Sequence, residues 1–327
     1  MSHIPIVMAF NEAYAMNSCV TIYSALRSKK VSTKYAVSIL VAEKLSQESL
    51  TKFDELIKNY PDTTIDFIEV GNQLDNVPTG YHFSKETYYR LLIPKLFPQL
   101  DKCIYLDGDI IVCDDLTEMW NYDLGNNYIA GVKNVYGNEC YKSLKLSSPN
   151  QYICAGSLLM NIKAIRKDNL EPKLMELICN GYKMVDQDVL NIVCYDRIAF
   201  LPLKFNIPFY EAVSTGVLES IYPPEEVDEA LSYPVIIHYA GGIKPWNSYD
   251  DYALLSYIWF KTAFDSPYKC DFTDRMLIGR RDASLKKGFY NIQIDKIQNS
   301  ISYRIGLSIT FIPRYIFNIL KKILKKR

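Results

Sequence analysis

Residues 4–10 form an unbroken apolar run, and from about residue 16 to 26 the apolar positions change to helical spacing. Residues 36–41 repeat the strand pattern. Ser46, two residues before Glu48, opens a helix predicted through residue 57, and 64–70 reads as a third strand. Such β-α-β-α-β alternation predicts an α/β fold with a mainly parallel, doubly wound sheet. A loop over 71–81 leads to a helix predicted over 84–96, which carries Tyr88, Tyr89 and Arg90, and a fourth strand ends at Leu106. Strands follow at 128–132 and 152–161, the second interrupted by Cys154-Ala155-Gly156-Ser157. Helices are predicted over 164–179 and 186–194, then a short buried strand over 235–238 and a helix over 250–264. Beyond residue 265 the pattern loosens. The predicted organisation is a body over 1–264 and a C-terminal extension over 265–327, without internal repeats.

The 327 residues carry no formal net charge, but the distribution is uneven. From Arg275 onward there are thirteen Lys or Arg and two acids, Asp282 and Asp295. The stretch from Arg275 onward is therefore about +11 and the part before it about −11. That split suits an acidic body with a basic arm for an anionic surface. The eight cysteines show no C-x-x-C pairing, and Cys19, Cys103, Cys154 and Cys194 sit among apolar residues, as expected in a reducing compartment. His3, His82 and His238 are the only histidines, and none lies near a cysteine pair, which argues against a zinc site. No signal-peptide pattern opens the chain, and no apolar run reaches the roughly twenty residues of a membrane span. The expected location is the cytoplasm, with attachment to the cytosolic face of a membrane.

Chemistry concentrates where the fourth strand ends, at Tyr105-Leu106-Asp107-Gly108-Asp109. In an extended segment residues i and i+2 project to one side, so Asp107 and Asp109 can aim at one point while Gly108 lets backbone approach it. Paired carboxylates of this kind form half of a divalent-cation site, and through it of a diphosphate site. Asp and Gly are equally common in solvated turns, and a second D-x-D at Asp186-Gln187-Asp188 shows how readily the tripeptide recurs. Asn11 lies at another strand end, the usual ligand position in open α/β sheets. No G-x-G-x-x-G or phosphate loop is present, which excludes dinucleotide and Walker-type readings. His238 ends a strand and leads through Gly241-Gly242 to Lys244 and Trp246. One imidazole with two carboxylates suits Mn²⁺ better than Mg²⁺, which prefers an all-oxygen shell. Lys244 would then supply a point charge for phosphate, and Trp246 would anchor the loop.

Over residues 4–264 the chain resembles glycosyltransferase family 8, the retaining galactosyl- and glucosyltransferases that use UDP-sugars, bacterial lipooligosaccharide galactosyltransferases among them. Five segments carry the resemblance in order: Thr87-Tyr88-Tyr89-Arg90-Leu91, Tyr105 to Asp109, Cys154 to Asn161, Asp186-Gln187-Asp188-Val189-Leu190-Asn191, and His238 to Trp246. The resemblance implies a GT-A type Rossmann-like domain and transfer of galactose or glucose from a UDP-sugar to a glycan or glycolipid of a cell-surface polysaccharide. Asp107, Asp109 and His238 would bind Mn²⁺, with Mg²⁺ as the alternative, and the metal would bridge the UDP diphosphate. Gly241 and Lys244 would contact phosphate, and Asn11, Tyr14 and Gly108 would add donor contacts. Arg90, Asp186 and Gln187 would grip the hexose, with the Ala155-Gly156 backbone against it, while Asp188 would cap its helix. Gln187, Asp186 and Lys244 would carry catalysis, by a front-face route in preference to double displacement through Asp186. The chain departs from the family in three places: Asn11 replaces an Asp, Cys154 replaces an Asn, and the Thr–Tyr spacing before Arg90 is one residue tighter.

Residues 313–327 place Ile316, Ile319, Leu320, Ile323 and Leu324 at helical spacing, with Lys321, Lys322, Lys325 and Lys326 flanking them. This is the pattern of a cationic helix lying on an anionic membrane. A helix docked on the body is the competing reading, and nucleic acid is not an expected partner because no binding module is recognisable. The rival functions are a D-x-D phosphatase and a sugar-nucleotide- or glycan-binding protein without turnover.

Overall fold

A computed structural model describes residues 3–271 apart from 76, 79–83, 145, 147–151, 210–215, 243, 247–252 and 270. The predicted helix at 313–327 lies outside the described residues. The chain divides into two compact units, Met1–Tyr268 and Lys269–Arg327.

The first unit is built on two sheets. In chain order the larger one uses β1 (Ile4–Ala9), β2 (Tyr35–Val41), β3 (Thr64–Glu69), β4 (Cys103–Leu106), β6 (Ile129–Lys133), β7 (Ile153–Met160) and β8 (Ile198–Phe200). The smaller one uses β5 (Ile110–Val112), β9 (Ile207–Pro208) and β10 (Ile236–His238). Strand order in the larger sheet is β3-β2-β1-β4-β7-β6-β8, and β7 alone runs against the others. The sheet is therefore mixed and mainly parallel, as predicted. The chain winds outward from β1 to β2 and β3, then returns to place β4 on the other side of β1. Ligands bind at such a reversal, beyond the carboxyl ends of the strands. Ala9 and Leu106 both end there, and β7 starts from the same edge.

Central strands are apolar because both of their faces are covered: Cys103, Ile104, Tyr105 and Leu106 of β4 are all buried. One cover is helix α1 (Ala15–Ser28), whose buried face is partly polar. Its Thr21 Oγ1 donates to Ile110 O at 2.7 Å, and its Ser24 Oγ accepts from Val112 N at 2.9 Å. These hydroxyls satisfy the edge of β5, which would otherwise leave backbone groups unpaired in the core. Helix α2 (Gln47–Asn59) starts as expected at Ser46, whose Oγ accepts from Ser49 N.

Several predicted elements differ in detail. Residues 84–96 are a 3₁₀ helix (Lys85–Leu92) passing into one α turn (Ile93–Leu96). The helix predicted over 164–179 is broken into Ile162–Lys167 and Glu171–Leu177 with a 3₁₀ turn at Ile178–Asn180. The break falls at Asn169, in the left-handed region at φ 51°, and Pro172 then sits in the first turn of the second piece. Helix α3 (Val185–Val193) forms as predicted. Helix α4 (Pro224–Ser232) was not among the predicted elements, although Pro224 followed by Glu225 and Glu226 is a helix-start signal. Strands β8 and β9 are three and two residues long, too short for periodicity to reveal.

Candidate active site

Asp107 and Asp109 do meet, but through a turn and not through strand alternation: β4 ends at Leu106, β5 of the smaller sheet begins at Ile110, and Gly108 and Asp109 between them form a turn. The turn is held on both sides. Asp107 N donates to Gly156 O at 2.8 Å, and Tyr239 N donates to Asp109 O at 2.9 Å. Strand β10 runs antiparallel to β5 with His238 opposite Ile110, so the histidine arrives beside the acidic turn. One ligand atom from each of Asp107, Asp109 and His238 lies within 4.8 Å of the others. His238 Nε2 is 3.2 Å from Asp109 Oδ1 and 3.9 Å from Asp107 Oδ2. Two hard carboxylates and an imidazole, closely spaced and shielded, fit a divalent cation with mixed oxygen and nitrogen ligands. Asp109 Oδ1 is buried and has no hydrogen bond of acceptable geometry, as expected of an atom kept for an ion.

Glycine is required at Gly108 and Gly156 for packing reasons. A Cβ on Gly108 would lie 2.2 Å from Ser18 Oγ and 3.2 Å from Tyr14 Cδ1, so the missing side chain makes room for the side chains of Ser18 on α1 and of Tyr14 just before it. A Cβ on Gly156 would lie 2.1 Å from His238 Cε1, so β7 passes directly beneath the imidazole. Gly241 adopts φ 87°, in the region that favours glycine.

Each of the two aspartates also has a cationic neighbour besides His238. Lys244 Nζ lies 2.5 Å from Asp109 Oδ2 and donates to Tyr239 O. Arg90, 3 % exposed, pairs with Asp107 Oδ1 and Asp186 Oδ2, both at 2.8 Å, and donates to Thr87 and to Ala155 O. Its guanidinium stacks 4.3 Å from the Tyr105 ring centroid. Arg90, expected to grip the hexose, thus has nearly all its donors engaged by the protein. It holds two carboxylates in place.

These neighbours move the titrations. Burial pushes Asp109 up, but Lys244 and His238 overcome it and hold the carboxyl well below the usual range. Burial would lower His238, yet the charge of Asp109 beside it raises the imidazolium to about 10. Burial pushes Asp186 up to about 6 against the pull of Arg90. The Tyr14 phenol is raised by burial and by Asp109 and Asp107, which places this predicted donor residue beside the acidic pair.

The start of α3 supplies the other predicted residues. Val185 adopts φ 42°, a strained value for a β-branched residue, and its turn presents Asp186 and Gln187 inward. Thr87 Oγ1 donates to Asp186 Oδ1 at 2.9 Å. Gln187 Oε1 accepts from Ala155 N, and its Nε2 donates to Tyr152 OH. Both backbone groups of Ala155 are thus held by Gln187 and Arg90. Asp188 accepts from Met184 N and Tyr152 OH, the capping role expected of it. Asn11 lies at the end of β1 and donates to Glu86 Oε2, a buried carboxylate that sequence reading did not single out. Asn206 was also missed, since nothing in its sequence neighbourhood marks it. Trp246 packs on Trp259 at 4.8 Å and edge-on to Tyr14, anchoring the loop that holds Lys244.

Residues 5–250 match the sequence profile described as Glycosyl transferase family 8. The chain belongs to this family. Among its relatives, General stress protein A of Bacillus subtilis (strain 168) is 28% identical over 193 residues, 56% of this chain and 67% of that protein. Lipopolysaccharide 1,3-galactosyltransferase of Salmonella typhimurium is 27% identical over 221 residues, 64% of each chain. The chain thus spans about two thirds of the length of these curated relatives. A solved structure of the galactosyltransferase LgtC, in complex with donor and acceptor sugar analogs, superposes with a TM-score of 0.68 at 26% identity, covering 80% of this chain and 96% of that one. The fold is of the GT-A type, as the sequence resemblance implied.

Proposed function

We propose that the chain is a retaining hexosyltransferase that moves galactose or glucose from a UDP-sugar to a glycan or glycolipid acceptor in cell-surface polysaccharide synthesis, with Mn²⁺ at Asp107, Asp109 and His238. The observation that carries this reading is the convergence of those three ligands beside Lys244, with the Arg90–Asp186–Gln187 cluster adjoining them. The relatives named as a lipopolysaccharide galactosyltransferase and a galactosyltransferase with bound sugar analogs support it.

When bound, the divalent cation supplies positive charge to a diphosphate leaving group. The protein's own groups do the rest. Lys244 exchanges Asp109 for a phosphate oxygen and stabilises negative charge as it develops. Arg90 fixes Asp107, leaving Asp107 Oδ2 toward His238 and the metal position. Asp186 and Gln187 line the place of the donor hexose. Gln187 is a poor nucleophile and is pinned at both ends of its amide, which favours front-face displacement over a covalent intermediate.

The basic extension would hold the enzyme on the cytosolic face of an anionic membrane, a reading that rests on its sequence. No helix among the described residues is long and apolar enough to cross a membrane.

The test is Mn²⁺-dependent release of UDP from UDP-galactose and UDP-glucose, measured without acceptor. Asp107→Ala, Asp109→Ala and His238→Ala should each abolish it while the protein remains folded by circular dichroism. Full activity in any one variant would remove that residue from the site. Phosphate release from simple phosphomonoesters instead would favour the phosphatase reading.

A further inference from the structure

His238 has two ring nitrogens, and only one can serve a metal placed between Asp107 and Asp109. Nε2 faces both carboxylates. Nδ1 points the other way, 3.0 Å from Oδ1 of Asn206. Asn206 is 3 % exposed and His238 4 %, so water does not substitute for this contact. Nor is the asparagine on a loose segment. It follows the 3₁₀ turn Leu203–Phe205 and leads into β9, which pairs in parallel with β10 so that Pro208 lies opposite His238.

We infer that Asn206 is the positioning residue of the metal centre: its side-chain oxygen accepts the Nδ1 proton of His238 and so keeps Nε2 as the nitrogen presented to the cation. A metal-bound imidazole needs its other N–H satisfied, and the partner fixes both tautomer and ring orientation. Without an acceptor at Nδ1, the ring can rotate about its bond to Cβ or carry its proton on Nε2, and either change removes the ligand atom.

A second observation agrees with this assignment. Asn206 Nδ2 is buried and has no hydrogen-bond partner among the described residues. Buried amides are ordinarily satisfied at both ends, and an unpaired donor lowers stability. Packing alone would favour an apolar side chain at this position. The oxygen end is what the site uses. The alternative partner of Nδ1 is the Cys154 sulfur at 3.7 Å, a longer contact to a weaker acceptor.

The inference rests on the proposed metal site, and one experiment separates the two. Mn²⁺ binding to the full chain without nucleotide is followed by the electron paramagnetic resonance of free Mn²⁺, and each variant's melting temperature is recorded. Asn206→Leu, close in shape but unable to accept, should weaken Mn²⁺ binding about 10–100-fold. Its melting temperature should not fall in parallel, because the unpaired donor leaves with the acceptor. Asn206→Asp keeps an acceptor and should bind within about threefold of the parent or tighter. Cys154→Ala should leave affinity nearly unchanged. Asn206→Ala provides the same reading should the leucine variant fail to fold. Parent-like affinity in the leucine or alanine variant would overturn the inference, as would a loss in Cys154→Ala alone, which would make Cys154 the partner. If the parent chain itself binds no Mn²⁺, the metal reading fails and this inference fails with it.

Discussion

Lys244 and His238 both occupy, with positive charge, the carboxylate that a metal would use. The Lys244 ammonium lies 2.5 Å from Asp109 Oδ2. Lys244→Met removes a competitor for Asp109, so Mn²⁺ affinity without nucleotide should be equal to or tighter than that of the parent. UDP-sugar turnover should nevertheless fall on the order of 10²-fold, because the lost charge acts on the leaving diphosphate. A weaker Mn²⁺ affinity would show instead that Lys244 shapes Asp109 for the ion. His238 sets the pH dependence. Asp109 keeps the metal-free imidazole protonated up to about 10, and a ligating Nε2 must lose that proton. Each Mn²⁺ taken up below that pH therefore releases one proton. Apparent affinity should rise about tenfold per pH unit between 6.5 and 8.5. Mn²⁺ titrations in two buffers of different pH check this, and a flat profile would mean that His238 is already neutral in the empty site.

At the level of elements, the site depends on how two sheets are pressed together. Strand β7 of the larger sheet passes beneath His238 of β10, and the close approach is possible because residue 156 lacks a side chain. Gly156→Ala would force the strand or the imidazole to move. Overpacking of this kind costs about 1–3 kcal/mol. The melting temperature should drop by several degrees and Mn²⁺ affinity should fall with it, since the ring is a ligand. Differential scanning fluorimetry with and without Mn²⁺ reads both effects. Unchanged melting and unchanged metal response would mean that β7 yields without disturbing the histidine. The acidic turn has a similar dependence on α1, because Gly108 packs against Ser18, and Thr21 and Ser24 pair with the edge of β5. This explains why a helix predicted from the spacing of its apolar residues also buries Ser18, Thr21 and Ser24.

For the whole molecule, the proposed chemistry lies within Met1–Tyr268, so removing residues 313–327 should leave acceptor-free hydrolysis of UDP-sugar nearly unchanged. The same truncation should release the protein from vesicles of anionic lipid, where each of the six basic residues of that segment contributes about 1 kcal/mol. Equal cosedimentation of the truncated and full chains would rule the segment out as the anchor. The sequence by itself determined the opening β-α-β-α-β order and the longer strands, the carboxyl edge on which ligands would gather, and the segments bearing Arg90, Asp107, Asp109, Asp186, Gln187, His238 and Lys244. Those features are local: apolar period, caps and short motifs lie within a few turns of chain. The tertiary structure decided the rest. It brought Lys244 onto Asp109 across 135 residues and Arg90 onto Ala155 across 65, set Arg90 between two aspartates, and assigned Gly156 to His238. Asn206 was illegible beforehand for the same reason. Its significance lies in facing one nitrogen of a histidine on the neighbouring strand, and that adjacency exists only after β9 and β10 pair.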